Sequence, residues 1–83
     1  MPVTRDGIFA WYDEGKKKGA THMIIVCDTF DWDDFPVYVM AGENARDKAE
    51  SEGKKPMQKV MEVYSLSLPV LDQFQERRAF HYD

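Results

Sequence analysis

The chain is poor in the residues that staple, cradle or span. Its 83 residues hold a single cysteine, Cys27, so neither an intramolecular disulfide nor a cysteine-rich zinc site can form. The five glycines are scattered, and none cluster into a phosphate-cradling loop. A dinucleotide fingerprint, a serine elbow and a zinc signature are missing too, so no cofactor is expected. No stretch approaches the ~18 apolar residues that cross a bilayer, and the opening Met-Pro-Val-Thr-Arg-Asp lacks an apolar signal core. These absences predict a soluble, cytoplasmic chain with no membrane partner. Positive charge is also short. Eleven Lys and Arg stand against fifteen Asp and Glu, a net charge of −4, whereas a phosphate-tracking nucleic-acid binder needs a basic face. The balance disfavours nucleic acid and suits a basic partner protein, or mimicry of nucleic acid.

What is present is enough for one core. A hydrophobic content of 43% with 13% aromatics is too rich for a disordered chain. The length has room for a single domain, residues 1–83, burying roughly 60% of the surface that the unfolded chain exposes.

Thr4 can cap a helix whose apolar face is Ile8, Trp11, Tyr12 and Gly15, at i, i+3, i+4, i+7 spacing. Lys16, Lys17 and Lys18 suit its negative end and Gly19 its left-handed stop, which predicts a helix over residues 5–18. Residues 22–29 are β-branched and too short for a buried helix. Ile24 and Val26 on one side, with Met23, Ile25 and Cys27 on the other, mark a central strand covered on both faces. Residues 30–35 then read as a wide loop leading to a second strand over residues 36–41, where Pro36 is tolerated at a first position or on an edge because it need not donate to the ladder. Residues 43–52 form a polar helix ending at Gly53, with only Ala45 and Ala49 apolar on one face, expected to lie on the surface or fray. Val60, Val63 and Tyr64 favour a third strand over residues 57–66, and Pro56 argues against a fused helix. Ser67 can cap a last helix with Leu68, Leu71 and Phe74 inward, extended by Ala79 and Phe80. The order helix, strand, strand, helix, strand, helix predicts an α+β fold, a three-stranded, largely antiparallel sheet with helices packed on it.

The turn between the first two strands is the most unusual passage. Asp28, Asp31, Asp33 and Asp34 fall within seven positions beside Phe30, Trp32 and Phe35. Three readings compete. The aspartates can bond the loop's own amides while the rings close the core. Asp31, Trp32, Asp33, Asp34 and Phe35 can form a partner-binding tip, an aromatic anchor in a polar rim. The Asp28–Asp34 cluster can hold a hard cation for a small metal-dependent hydrolase, although the spacing lacks the glycine and distal glutamate of a calcium loop. His22 and Cys27 point to opposite faces of one strand, which removes a catalytic pair. Lys16, Lys17 and Lys18 could join Arg77 and Arg78 as an anion site if the fold brings them together. Trp11, Tyr12, Trp32, Tyr38 and Tyr64 are many large rings for so small a core, and an under-covered sheet face would be buried in a homo-oligomer.

Residues 20–31 (Ala-Thr-His-Met-Ile-Ile-Val-Cys-Asp-Thr-Phe-Asp), Pro36-Val-Tyr-Val39, Met61-Glu-Val-Tyr-Ser-Leu66 and Gln75-Glu-Arg-Arg-Ala-Phe80 are similar to a group of short uncharacterised proteins encoded by bacteriophages and prophages. These passages span most of the chain after the first helix, and none is a specific functional motif. The resemblance implies phage origin and assigns no activity. Small acidic phage proteins without catalytic motifs often act by binding, which is analogy and not site chemistry. The leading expectation is a non-enzymatic accessory protein that binds a host or phage protein, for example to counteract host defence. A second is an oligomer that sequesters a nucleotide-like small ligand at a subunit interface, with rings on the base and Lys or Arg on the phosphates.

Overall fold

A computed structural model describes residues 4–76 and 78–82. Along the chain run α1 (Arg5–Lys18), β1 (Ala20–Asp28), β2 (Asp33–Met40), α2 (Ala45–Lys54), β3 (Gln58–Ser65) and α3 (Val70–Phe74). The strands form one antiparallel sheet in the order β2-β1-β3, so the fold is α+β with the most apolar strand at its centre.

The first helix obeys its local code. Thr4 Oγ1 accepts from the Gly7 amide at 3.2 Å, and Gly19 turns left-handed at φ 80 with its N–H on the Gly15 and Lys16 carbonyls. Ile8, Tyr12 and Gly15 are its buried residues. They pack with Met23, Ile25, Tyr64, Leu66, Val70 and Ala79 on one face of the sheet. On the other face, Ile24, Val26, Val39 and Val63 meet Ala45 and Ala49 of α2. Both faces of β1 are therefore covered, and the sheet needs no second copy to bury it. The α2 helix lies on the surface with Ala45 and Ala49 turned inward, and it is capped and not frayed. Asn44 Oδ1 caps it from the Asp47 amide at 2.9 Å, Gly53 lies inside it, and its alanines let the backbone approach the sheet closely.

Three further expectations change. The hairpin loop is narrow, residues 29–32, because Asp28 pairs with Asp33 and the ladder runs on through Cys27–Asp34 and Val26–Phe35. Pro36 sits inside β2, opposite Ile25. β2 is an edge strand, where a missing N–H that points outward costs no ladder bond. The last helix is one short turn beginning after Pro69, and Ser67 pairs with the Ser65 hydroxyl at 2.8 Å instead of capping it. Its inward residues are Val70 and Gln73, while Leu68 and Leu71 are exposed. Ala79 and Phe80 do not extend it. The Val63 amide donates to the Ala79 carbonyl at 2.8 Å and the His81 amide to the Val63 carbonyl at 2.9 Å, forming a parallel bridge of Phe80 on Val63.

Gln73 explains the rest of that reversal. It is 2% exposed; its Oε1 accepts from the Ser65 amide at 2.8 Å and its Nε2 donates to the Ser65 carbonyl at 2.9 Å. A side-chain amide thus stands in for a neighbouring strand. Without it, two buried backbone groups would lack partners, at about 1–3 kcal/mol each.

Candidate functional site

The hairpin tip is built by its own aspartates. The Trp32 amide donates to the Asp28 carbonyl at 2.7 Å, closing the four-residue loop. Asp28 Oδ1 accepts from the Phe30 amide at 2.8 Å, and Asp31 Oδ1 from the Asp33 amide at 3.0 Å. Each is an Asx turn, in which a short carboxylate replaces a backbone acceptor two residues away. The second spans Trp32 and helps to hold it at φ 63, a left-handed conformation that favours glycine and costs a bulky residue about 1–3 kcal/mol.

So the aspartates do bond the loop, but the rings do not close the core. Phe30 is 77% exposed, Trp32 is 56% exposed, and Phe35 is also exposed. Phe35 pairs with Val26, on the α2 side. Trp32 lies towards the other face, where Lys59 Nζ stands 5.7 Å from its ring centroid and Lys59 pairs with Cys27. Met57, a residue that sequence patterning did not single out, joins this end. It is exposed, its φ is 61, and its carbonyl accepts from the Thr29 amide at 2.8 Å. The only signal for it was its place after the Lys-Lys-Pro turn. Phe30, Trp32, Phe35 and Met57 thus lie exposed at one end of the sheet, Phe35 and Trp32 towards opposite faces.

The remaining candidates disperse. Cys27 is a buried free thiol that donates weakly to the Asp28 carbonyl at 3.8 Å. Burial first, then the Asp34 carboxylate, pushes its pKa up, away from a reactive thiolate. His22 Nδ1 meets the Thr21 hydroxyl at 3.0 Å, and strand alternation puts it on the face opposite Cys27. Among the described residues no three of His, Cys, Asp and Glu converge to hold a metal ion, which leaves the hydrolase reading without support. The lysines of the candidate anion site are each engaged separately. Lys16 stands over the Tyr12 ring, Lys17 pairs with Asp13 at 3.3 Å and Lys18 stands over the Tyr38 ring. Arg5, at the other end of α1, is the residue beside α3, over Phe74 at 4.8 Å. Arg77 lies outside the described residues.

No helix among the described residues is long and apolar enough to cross a membrane. No protein-family model, curated protein or solved structure matches the chain.

Proposed function

We propose that the chain is a non-enzymatic binding protein that engages a macromolecular partner through its hairpin tip, with Trp32 as the anchor, Phe30 in the same loop, Phe35 towards the opposite face, and Asp31, Asp33 and Asp34 as the polar rim. The carrying observation is the state of Trp32. Its ring is largely out of the core, and its backbone is in a conformation that glycine would adopt at no steric cost. An exposed contact with Lys59 contributes only about 0.5–1 kcal/mol. Neither backbone preference nor core packing accounts for a tryptophan here, whereas a desolvated partner pocket would. The short phage-encoded proteins that the sequence resembles suggest the setting: a host or phage protein in the host cytoplasm, with counteraction of host defence as the working case.

The test uses Trp32→Ala and Trp32→Gly beside the wild-type chain, immobilised and exposed to host-cell lysate. Trp32→Gly relieves the backbone strain, so its stability should stay within about 1 kcal/mol of wild type. A partner kept by the wild type and lost by both variants supports the assignment. Equal retention on all three surfaces refutes it.

A further inference from the structure

The end of the sheet that carries the tip is dipolar, and strand order makes it so. The loop and β2 bear Asp31, Asp33 and Asp34, whereas β3 bears Lys59 and Lys54 ends α2. The Gln58 side chain donates to the Glu52 carbonyl at 2.9 Å, which fixes the end of α2 beside the start of β3. β1 lies between, so the acidic and basic sides stand two interstrand spacings apart, about 10 Å. Phe30, Trp32 and Met57 are at the same end, 77%, 56% and 55% exposed. We infer that this end is self-complementary and docks on the same end of a second copy of the chain, about a twofold axis normal to the sheet. The inference rests on the reading of the tip as a contact surface and names a further occupant of it, one that would compete with the macromolecular partner.

Charge selects the axis. A twofold contact sets one patch against its own copy, and there are two principal ways to do so end-on. An axis in the plane of the sheet, across the strands, lays β2 over β2 of the second copy and sets aspartates against aspartates. An axis normal to the sheet lays β2 opposite β3 of the second copy, so acid meets base on both sides. That axis also keeps each face of the sheet on its own side. Asp33 is on the α2 face, in phase with Phe35 and Val39, and comes to Lys54 of the second copy. Trp32 leans to the other face beside Lys59 and comes to Lys59 of the second copy. Met57, whose carbonyl holds the Thr29 amide, then meets the loop of the second copy.

The apolar area sets the strength. Large aromatic side chains bury about 150–250 Å² each, so Phe30, Trp32 and Met57 at these exposures offer about 400 Å². That is the level of the largest apolar patch on a typical monomer. Two copies remove about 800 Å² of apolar surface plus a charged rim, short of the ~1,600 Å² of a standard stable interface. The dimer is therefore weak and reversible, with a Kd on the order of 0.1 mM. Both faces of β1 are already covered within one chain, so association requires no refolding.

The test is sedimentation equilibrium of the full chain from about 10 μM to about 2 mM, a range that brackets this Kd. The mass should rise from one chain to two and no further, and about 0.5 M NaCl should weaken the dimer several-fold by screening the charge pairs. Asp33→Lys and Lys54→Glu, each alone, set like charges across the axis and should abolish the dimer. An equimolar mixture of the two restores opposite charges at both contacts and should recover it. Both positions are exposed, so circular dichroism should match the wild type. Trp32→Gly, which removes the ring and relieves its backbone, should stay a single chain. A single-chain mass throughout, a mass beyond two chains, indifference to both charge variants, or a mixture no more associated than either variant overturns the inference. A wild-type chain that stays single yet captures a lysate partner overturns the dimer alone. A dimer that Trp32→Gly abolishes, with equal lysate capture by all three immobilised chains, confirms the dimer and overturns the partner reading alone.

Discussion

Replacing Gly15 and Gly53 separately by alanine applies one chemical change to two helices and should move stability in opposite directions. Such an exchange favours the folded state by about 0.5–1 kcal/mol in a helix interior, and by less at Gly53, the penultimate residue of α2, through backbone entropy. At Gly53 nothing opposes that gain, since an added Cβ would lie 3.8 Å from Val60 Cγ2, an ordinary contact. At Gly15 the same atom would meet Tyr38 Cε1 at 2.7 Å, Leu66 Cδ1 at 2.9 Å and Tyr38 Cδ1 at 3.0 Å. The Tyr38 ring cannot swing away cheaply. Its hydroxyl donates to the Trp11 carbonyl at 2.8 Å, and Lys18 stands over its face. Overpacking of a core contact costs about 1–3 kcal/mol, so Gly15→Ala should destabilise by about 1–2 kcal/mol after the helical gain. In a domain of this size about 1 kcal/mol shifts Tm by about 4–8 °C. Thermal and urea unfolding followed by circular dichroism should therefore show Gly15→Ala melting below the wild type and Gly53→Ala above it. A Gly15→Ala chain as stable as Gly53→Ala would refute the close packing of α1 on β2 and the 65–68 turn.

Gln73→Leu keeps the volume and removes both bonds to Ser65; a loss of about 2–4 kcal/mol in urea unfolding is expected, and a change below about 1 kcal/mol would show that the amide is not standing in for a strand. Tyr64→Phe tests the buried hydroxyl that donates to Glu62 Oε1 at 2.9 Å. Burial first, then the Glu62 carboxylate, holds the Tyr64 pKa well above its ordinary value. Its contribution is thus complete below the unfolded tyrosine pKa of about 10 and is lost as pH rises towards the folded value. The wild-type advantage over Tyr64→Phe should be constant from about pH 7 to about pH 9 and shrink at about pH 11, and a gap independent of pH would contradict the assignment.

What was legible in the sequence was what adjacent residues decide. Thr4, Gly19 and the lysines bound α1 because a capping oxygen, a left-handed glycine and a dipole all act within one turn. The two apolar sides of β1 announced a central strand because alternation is local. Edges and exposure were not legible, since they depend on which strands find each other. Pro36 allowed a strand start or an edge; the edge holds, and there proline is accommodated mid-strand. Leu68 and Leu71 looked inward by helical spacing, but a five-residue helix is anchored by whatever satisfies the neighbouring backbone, here Gln73. The rings of the tip could be core or an exposed anchor, and hydrophobicity alone did not decide between them. The two Asx turns close the loop within four residues, too tightly to fold those rings back over the sheet.

The edges of the sheet bear on how the tip can bind. On β2, Thr21 Oγ1 reaches the Val39 carbonyl from β1, so the neighbouring Tyr38 and Met40 turn their backbone groups outward. Lys48 Nζ covers the Tyr38 carbonyl at 3.0 Å, Glu43 Oε1 takes the Met40 amide at 2.8 Å, and Lys48 and Glu43 pair with each other. Pro36, in the same outward phase, has no amide to present. On β3 the outward groups of Val63 and Ser65 are held by the C-terminal segment and by Gln73. Both edges are therefore plugged along the half of the sheet away from the hairpin loop, which blocks the unpaired strand surface that would otherwise template addition of another chain. Along that half of the sheet, a partner meeting this protein without unfolding those plugs is met by side chains and not by free backbone. In the binding function proposed above, the large rings of the tip, held on a loop braced by its own carboxylates, are the side chains that a partner would meet.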